Sequence, residues 1–293
     1  MRHVPVLVKE VIEYLDIKKG SKIIDATLDG GGHTLKILEK FPDVQILGIE
    51  FDPVLFKSLQ FDNGRLIKVN DSYVNLKKIA QENKFEPDGI LFDLGLSSWH
   101  YEESGRGFSF KGNEMLDMRF NPEIQKESAI DVINKYSEGD LRELISSLGE
   151  EQFAVNIAKN IVRARKVKAI VMTQELVDVI SQSVPEWYKH RKINFATKTF
   201  QALRVAVNDE LGNVKKGMES AIEILKPGGR LVVISFQGLE DKVVKEVFKE
   251  KVKDGIVRFV TKRTIKPSWE EQRNNLRARS AKMKIVEKIK NKV

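Results

Sequence analysis

The sequence has no cysteine and only four histidines among its 293 residues. Without cysteine there is no disulfide framework, no catalytic thiolate and no Cys-ligated metal. The histidines His3, His33, His100 and His190 are far apart and form no H-x-x-x-H pair. Because zinc sites usually group their ligands at short spacings, the sequence predicts no structural zinc and no other bound metal.

Long hydrophobic runs are also missing. No apolar segment approaches the roughly 20 residues that a membrane-spanning helix needs, and the first residues, Met1 to Pro5, lack the apolar core of a signal peptide. Hydrophobic residues make up 41% of the chain and charged residues 31%, which is ordinary for a globular protein. We therefore expect a cytoplasmic protein of one large or two smaller domains, with no membrane contact.

Positive charge is in excess and unevenly spread. The net charge is +8, and residues 262–292 contain eleven Lys and Arg against three Glu. Shorter basic runs occupy 159–168 and 189–192. A single such run is more often a solvated surface. Three of them favour a nucleic-acid partner, because Lys and Arg release the counterions condensed on a phosphate backbone.

The segment 22–41 has the pattern of a strand, a glycine loop and a helix. A β-branched run ends in Asp25, three glycines follow at Gly30, Gly31 and Gly32, and apolar residues then recur at helical spacing. Glycines let a ligand approach the backbone, and the next helix begins with unpaired N–H groups. The pattern predicts a nucleotide-like ligand at the carboxyl end of a strand. The alternative is a tight strand–helix turn that binds nothing.

Short apolar runs alternate with helical segments along most of the chain, which predicts an α/β fold with a mostly parallel, doubly wound sheet. The predicted strands are residues 22–25, 45–50, 65–70, 89–93 and 230–236, with 256–260 and 283–287 as a closing antiparallel pair. Residues 111–198 are helical in pattern and show no clear strand. We therefore predict a sheet domain of residues 1–110 and 199–293, interrupted by a helical insertion over 111–198.

Two cofactor classes suit a glycine loop followed by an acid at the end of the next strand. A dinucleotide fold needs G-x-G-x-x-G, and this loop has no third spaced glycine. Asp25, shortly before the glycines, suits a cationic ligand, and S-adenosylmethionine (SAM) carries an ammonium and a sulfonium but no phosphate. Glu50 could accept both ribose hydroxyls, or it could cap the following helix. An NAD-dependent oxidoreductase is the rival interpretation.

Eight motifs together resemble one family, the bacterial 16S ribosomal RNA cytosine-N4 methyltransferases of the MraW family. The motifs are Asp25–His33, Asp93–Ser98, Arg106–Phe110, Leu116–Arg119, Thr199–Asn208, Ile234–Phe236, Leu239–Asp241 and Arg277–Ser280. Each motif alone is a weak signal, but they occur in the family's order. The resemblance runs from His3 to the last predicted strand and so covers nearly the whole chain.

The resemblance implies a class I, SAM-dependent methyltransferase. Its Rossmann-like sheet would be mostly parallel with an antiparallel last strand, and its inserted all-helical domain would bind the RNA substrate. The reaction implied is methylation of the exocyclic N4 of a cytosine in 16S rRNA, in the decoding centre of the small ribosomal subunit. Two alternatives stay open: a SAM-dependent methyltransferase of another RNA or DNA base, and a SAM-binding ribosome assembly factor without catalytic activity.

The resemblance also implies a set of cofactor-binding residues. These are Gly31, Gly32, His33, Glu50, Tyr73, Asp93 and His100. Tyr73 would lie against the adenine, Asp93 near the adenine or methionine end, and His100 just beyond. The family usually has Asp, Phe and Gln where Glu50, Tyr73 and His100 stand. It also has His-Ser where this chain has Gln237-Gly238, which argues against a catalytic role for that position.

The turn after the fourth predicted strand is where we expect the target amine to be oriented for methyl transfer. DNA amino-methyltransferases place an Asp/Asn/Ser-Pro-Pro-aromatic turn there, and this chain has Asp93–Ser98 without the prolines. A cytosine amine is a poor nucleophile and needs a hydrogen-bond acceptor as positive charge develops on it. We predict that Asp93 is this acceptor and that Ser97 and Ser98 help to orient the amine. The alternative is that Asp93 caps the following turn.

The target base must leave its stack, because the reacting atom is inaccessible in a paired helix. Trp99 and Phe108 are candidates to stack on the displaced base, with Arg106 and Arg119 near phosphates. Lone aromatic residues are more often part of a core.

Overall fold

The computed structural model describes residues 5–61 and 63–289. His3, Lys290 and Lys292, which contribute to the predictions above, lie outside the described residues. The chain divides into two compact units, Met1–Ser97 with Leu211–Val293, and Ser98–Glu210. Among the described residues, no helix combines the length and the apolarity needed to cross a bilayer.

The larger unit is built on a seven-stranded sheet among its described residues. The strands are β1 (Lys22–Asp25), β2 (Gln45–Glu50), β3 (Leu66–Asn70), β4 (Gly89–Asp93), β5 (Arg230–Ser235), β6 (Val257–Phe259) and β7 (Lys282–Lys288). Their order is β3-β2-β1-β4-β5-β7-β6. Strands β1 to β5 are parallel, and β7 runs antiparallel to both β5 and β6. The predicted fold class, including the antiparallel last strand, is confirmed.

The strand order reverses beside β1, which pairs with β2 on one side and β4 on the other. Asp25 lies opposite Gly48 of β2 and Leu91 of β4. Crossover connections therefore leave in opposite directions here, and open α/β sheets bind their ligands at such a point, beyond the carboxyl ends of the strands. The glycine loop follows β1, and Glu50 and Asp93 are the last residues of β2 and β4, so all three lie at this edge.

Helices cover both faces of the sheet. Numbered along the whole chain, those of the larger unit are α1 (Val8–Tyr14), α2 (Gly32–Lys40), α3 (Pro53–Ser58), α4 (Leu76–Glu82), α12 (Glu210–Ile224), α13 (Gly238–Lys253) and α14 (Trp269–Asn274), with 3₁₀ turns at Tyr73–Asn75 and Leu276–Ser280. Ile23 and Ile24 of β1 belong to different apolar cores. Successive strand side chains point to opposite faces, so short, fully apolar strands are what a sheet covered on both faces requires.

The smaller unit is helical. Its helices are α5 (Ser98–Glu102), α6 (Ala129–Lys135), α7 (Glu138–Gly149), α8 (Ala154–Arg165), α9 (Thr173–Ser183), α10 (Glu186–Lys189) and α11 (Thr197–Val207). Reciprocal capping boxes begin α6 and α7, at Ser128 and Ser137. The only extended pairing in its described residues is an isolated bridge between Met115 and Met172.

The smaller unit is longer at both ends than the 111–198 insertion drawn from the sequence. Residues 98–110 belong to it because they pack inside it, as when the Phe108 ring stacks on Phe120 at 5.5 Å. At the other end, α11 packs closely on α7: a Cβ added at Gly149 would lie 2.6 Å from the carbonyl oxygen of Lys198. Loop-like composition and helical periodicity do not reveal these long-range contacts.

Candidate active site

The glycine loop between β1 and α2 is shaped by contacts within the protein. Gly31, the N-cap of α2, has φ +74°, a conformation that favours glycine. A Cβ there would lie 2.3 Å from the tip of the Phe61 ring, and one at Gly32 would lie 3.0 Å from the Pro5 ring. Two of the three glycines are therefore required by the protein's own packing as well as by any ligand.

Asp25 ties the end of β1 to the start of α2. Its carboxyl is buried and accepts hydrogen bonds from the Thr34 hydroxyl at 2.7 Å and from the Thr27 amide at 3.3 Å. Burial raises the pKa of Asp25 to about 6. These contacts hold the loop in place, so Asp25 has a structural role whether or not it also faces a cation.

Glu50, at the end of β2, holds the loop from the other side. It is 6% exposed, and its two carboxyl oxygens accept hydrogen bonds from the backbone amides of Asp29, at 3.0 Å, and Asp52, at 2.7 Å. Burial raises the pKa of Glu50 to about 8. The helix-capping alternative fails, because it is Asp52 whose side chain accepts from the first amides of α3. The Phe51 amide is a third backbone donor to this carboxyl, which with about four lone-pair sites keeps room for a hydroxyl donor.

Tyr73 lies in the 3₁₀ turn that follows β3. Its ring meets Phe92 of β4 edge-on, with 5.3 Å between the ring centroids. A Cβ added at Gly217 of α12 would lie 2.6 Å from the ring's Cδ2. Phe92 and the bare backbone of Gly217 therefore fix the position of this half-buried ring.

His33 and Asp93 approach each other in the same unit. The His33 ring is 6% exposed, with Nε2 2.8 Å from the carbonyl oxygen of Val6 and Nδ1 3.5 Å from Oδ2 of Asp93. Burial lowers the pKa of His33 and raises that of Asp93 to about 7. The other Asp93 oxygen, Oδ1, is buried and has no hydrogen-bond partner among the described residues.

A residue that sequence reasoning missed completes a group of four carboxyls at this edge. Asp29 is half-buried in the loop with φ +44°, and burial followed by the charge of Glu50 raises its pKa well above the usual value. The charges of Asp25 and Asp93 act on it in the same direction. In the sequence, the signal that could have identified Asp29 is its position as an acid directly before the three glycines. The described residues contain no group of acids and histidines arranged to hold a metal.

These residues fit a ligand that carries positive charge and hydroxyl donors. A positive ligand would relieve the mutual repulsion of four carboxyls. Asp93 Oδ1 has no donor among the described residues, and the Glu50 carboxyl keeps room for a hydroxyl donor beside its three backbone amides. SAM offers a sulfonium, an ammonium and two ribose hydroxyls. SAM has no phosphate, so its site does not need the third spaced glycine of the dinucleotide motif, which this loop lacks.

Other predicted residues divide between the two units. Ser97, buried, ends the larger unit, whereas Ser98 begins α5 in the smaller one. His100 is 4% exposed, and its ring meets those of Trp99, Phe108 and Phe120 edge-on at centroid distances of 5.3, 5.2 and 5.2 Å. Within its own unit, His100 is thus the centre of an aromatic cluster.

Three of the four predicted RNA contacts have internal roles in the smaller unit. Phe108 is 5% exposed, so it presents no open face to a base. Arg106 donates to the carbonyl oxygens of Arg119 and Phe120, at 2.8 and 2.9 Å, and the Arg119 side chain pairs with Asp117. Composition could not show that these basic and aromatic groups satisfy one another.

The fold is an α/β sheet of mostly parallel strands with an antiparallel last strand, as in class I methyltransferases. The family model described as the MraW methylase family matches residues 1–289. Curated relatives called ribosomal RNA small subunit methyltransferase H cover the chain from end to end. The one from Elusimicrobium minutum is 42% identical over 98% of this chain and 98% of the relative, and the one from Thermosipho africanus is 43% identical over 98% of each. The one from a Sulfurihydrogenibium species is 40% identical over 99% of this chain and 100% of the relative.

This chain belongs to the MraW methylase family. Its methyl donor is S-adenosylmethionine, and it is a SAM-dependent methyltransferase.

Proposed function

We propose that this protein transfers a methyl group from SAM to the exocyclic N4 of a cytosine in 16S rRNA, in the decoding centre of the small ribosomal subunit. The names of the full-length relatives, which act on small-subunit rRNA, support the substrate class. The observation that carries the choice of atom is Asp93. Its carboxyl ends β4 at the cofactor edge and keeps one buried oxygen without a donor, as recognition of an N–H group requires.

The cofactor is held by residues of the larger unit. Glu50 accepts the ribose hydroxyls, the Tyr73 ring lies against the adenine, and the backbone at Gly31 and Gly32 bounds the methionine end. When bound, SAM supplies an electrophilic methyl group on its sulfonium. Asp29 is added to the predicted set, because its carboxyl suits the ammonium group.

His100 and Ser98, which the resemblance and the turn after β4 predict to bind the cofactor and to orient the amine, belong to the smaller unit and stay predictions. An imidazole at His100 can donate or accept a hydrogen bond, as the amide of the Gln usual in the family does.

Asp93 orients the amine rather than acting as a strong base. The N4 lone pair is delocalised into the ring, so the amine must be held in line with the methyl group and its protons must be accepted as charge builds. The amide of Asp93 itself donates to the Thr27 hydroxyl at 2.7 Å, which fixes the backbone from which this carboxyl projects. Ser97, buried in the same turn, assists the orientation.

The smaller unit, residues 98–210, is the proposed RNA-binding domain. On α8 and its C-cap residue, Lys159, Arg163 and Lys166 are exposed at spacings of four and three residues and so form one stripe. Arg165 of the same run is not part of it, because it donates to the carbonyl oxygens of Ile133 and Tyr136. A stripe of three cations suits a phosphate backbone.

The segment 262–284 of the larger unit is the second proposed RNA contact. It presents Arg263, Lys266, Arg273 and Arg279 to solvent. Trp269 is 74% exposed, with the Arg273 guanidinium 5.6 Å from its ring centroid. An exposed aromatic ring among cations is the combination that binds unpaired nucleotides.

Mass mapping of modified nucleosides in 16S rRNA tests the proposal. Cells lacking this protein should lose one N4-methylcytidine, and the wild-type gene should restore it while Asp93→Ala should not. Purified Asp93→Ala should still bind small subunits, because the basic stripe is untouched. Restoration of the modification by Asp93→Ala would remove this residue from the mechanism. Loss of a different methylated nucleoside would favour another base as the substrate, and no loss at all would favour a non-catalytic assembly factor.

A further inference from the structure

The side chain of His33 is directed to protein atoms, although His33 stands in the cofactor loop. One ring nitrogen contacts the carbonyl oxygen of Val6 at 2.8 Å and the other lies 3.5 Å from Oδ2 of Asp93. With 6% of the residue exposed, the ring has no further nitrogen to offer a ligand. Its role is therefore defined by its two neighbours.

The contact with Val6 fixes the tautomer of the ring. A carbonyl oxygen only accepts, so Nε2 must carry the proton and a neutral ring presents the bare lone pair of Nδ1 to Asp93. Two acceptors would then face each other across 3.5 Å unless a proton lies between them. A proton on Asp93 Oδ2 satisfies both groups and leaves Oδ1 as a pure acceptor.

We propose that His33 and Asp93 form a proton-accepting pair that takes up the proton released by the methylated amine. This inference rests on the function proposed above. As the amine nitrogen gains its methyl group, it comes to carry one proton in excess. Its N–H bond breaks as a bond forms to Oδ1 of Asp93, while the Oδ2–H bond breaks and the same proton binds Nδ1 of His33. The amine ends neutral, Asp93 remains a carboxylic acid and His33 becomes an imidazolium.

The surroundings of His33 suit this sequence of states. Burial favours the neutral ring before the reaction, whereas the charges of Asp25 and Glu271 favour the imidazolium that forms afterwards. Glu271 of α14 is held by the Leu7 amide at 2.7 Å, next to the Val6 carbonyl that bonds the ring. Burial raises the pKa of Asp93 and so favours its protonated form, although a hydrogen bond from the Gly95 amide acts in the opposite direction. The charge of Asp93 in turn raises the pKa of its acidic neighbours Asp25 and Asp29.

Two substitutions of His33 distinguish the role of its contact with Val6 from the role of its contact with Asp93. In His33→Gln the side-chain nitrogen can reach the Val6 carbonyl, but nothing remains beside Asp93 to take a proton. In His33→Asn the amide can stand where Nδ1 stood and orient Asp93, but it cannot be protonated. General-base contributions are typically about 10²–10⁴-fold, so each variant should slow single-turnover methyl transfer to small subunits at least ~10-fold. Full activity of His33→Asn would show that the ring only positions Asp93 and would overturn the proposal.

A measurement on the cofactor-free protein needs no turnover. Nitrogen-15 spectra of the His33 ring should show a protonated Nε2 and an accepting Nδ1 near neutral pH. In Asp93→Asn the ring should titrate at a different pH, because its partner can no longer share a proton. The Nδ1–H tautomer, or identical titration in both proteins, would contradict the pair. Thermal unfolding of each variant checks that the fold is intact.

The wild-type protein separates failure of this inference from failure of the proposed function. If the wild type transfers no methyl to cytosine N4, the function is wrong and the proton step falls with it. If the wild type transfers the methyl and both His33 variants match its rate and its pH dependence, only the proton-accepting pair is wrong.

Discussion

The hydroxyl of Thr34 donates a 2.7 Å hydrogen bond to Oδ2 of Asp25, and both residues are almost completely buried. This bond joins the first turn of α2 to the last residue of β1. The loop between them carries the glycines and Asp29, so the bond sets the geometry of the cofactor edge. A carboxyl and a hydroxyl that are both removed from water depend on each other, because neither has solvent as a substitute.

Replacing Thr34 by valine should therefore destabilise the protein. The change keeps the shape but leaves a buried acceptor with one partner fewer, which costs about 1–3 kcal/mol. Denaturant unfolding measures the loss. Ser58→Ala is the control, since Ser58 is exposed and its hydroxyl bonds only the carbonyl oxygen of Leu55. Equal effects of the two substitutions would mean that the Thr34 bond has no special importance.

Gly31 and Gly20 form a matched pair that separates backbone strain from steric conflict. Both have φ +74°, but a Cβ at Gly20 meets nothing within 4 Å, whereas one at Gly31 meets the Phe61 ring. Gly20→Ala should cost about 1–2 kcal/mol from conformation alone. Gly31→Ala should cost more and should also weaken SAM binding. Calorimetric binding and unfolding of both variants give the comparison, and equal costs would contradict the packing described here.

Stability of the free protein should fall as the pH rises from about 4.5 to 8. Burial raises the pKa of Glu50 from 4.5 to about 8, so in this range the folded state keeps a proton that the unfolded chain has released. Stability then decreases with pH by up to about 1.4 kcal/mol per pH unit. Glu50→Gln removes this contribution, so its stability should depend less steeply on pH. Parallel curves for the two proteins would contradict the assignment. Unfolding at several pH values provides the test.

Adding one methyl group to Gly217 of α12 should displace the Tyr73 ring and so disturb its proposed contact with the adenine. Gly217→Ala would place a Cβ 2.6 Å from the Tyr73 ring, which must then move. SAM affinity should fall roughly tenfold, as expected when about 1.4 kcal/mol of ring contact is lost. Tyr73→Phe, which keeps the ring, is the control and should bind nearly as the wild type does. Unchanged affinity in Gly217→Ala would argue that Tyr73 is not in contact with the cofactor.

The sheet could be predicted because its signals are local. Each predicted strand is present within two residues of its predicted bounds, and the acids that end β1, β2 and β4 lie at the edge proposed to bind the cofactor. The missing third glycine correctly pointed away from a dinucleotide. These features depend on chain-neighbour geometry, which a sequence displays directly.

Contacts between distant residues could not be read in the same way. Nothing in the sequence shows that the ring of Phe61 lies over Gly31, that Val6 bonds His33 or that Phe108 is stacked inside the helical unit. Asp29 was overlooked for the same reason, since its importance comes from four acids, Glu50, Asp93, Asp25 and Asp52, whose charges act on it in the folded protein. The presence of an aromatic or basic residue in a glycine-rich segment therefore does not show that its side chain is exposed.

The most direct test of this account is calorimetric titration with S-adenosylhomocysteine, the product of SAM. The wild type should bind one equivalent and should not bind NAD. Glu50→Ala should weaken binding about 10- to 100-fold, because it removes charge-assisted bonds to the ribose worth about 1.5–3 kcal/mol. Glu39→Ala, at an exposed acid of α2, should bind as the wild type does. Equal binding by Glu50→Ala, or binding of NAD in place of the nucleoside, would contradict the account.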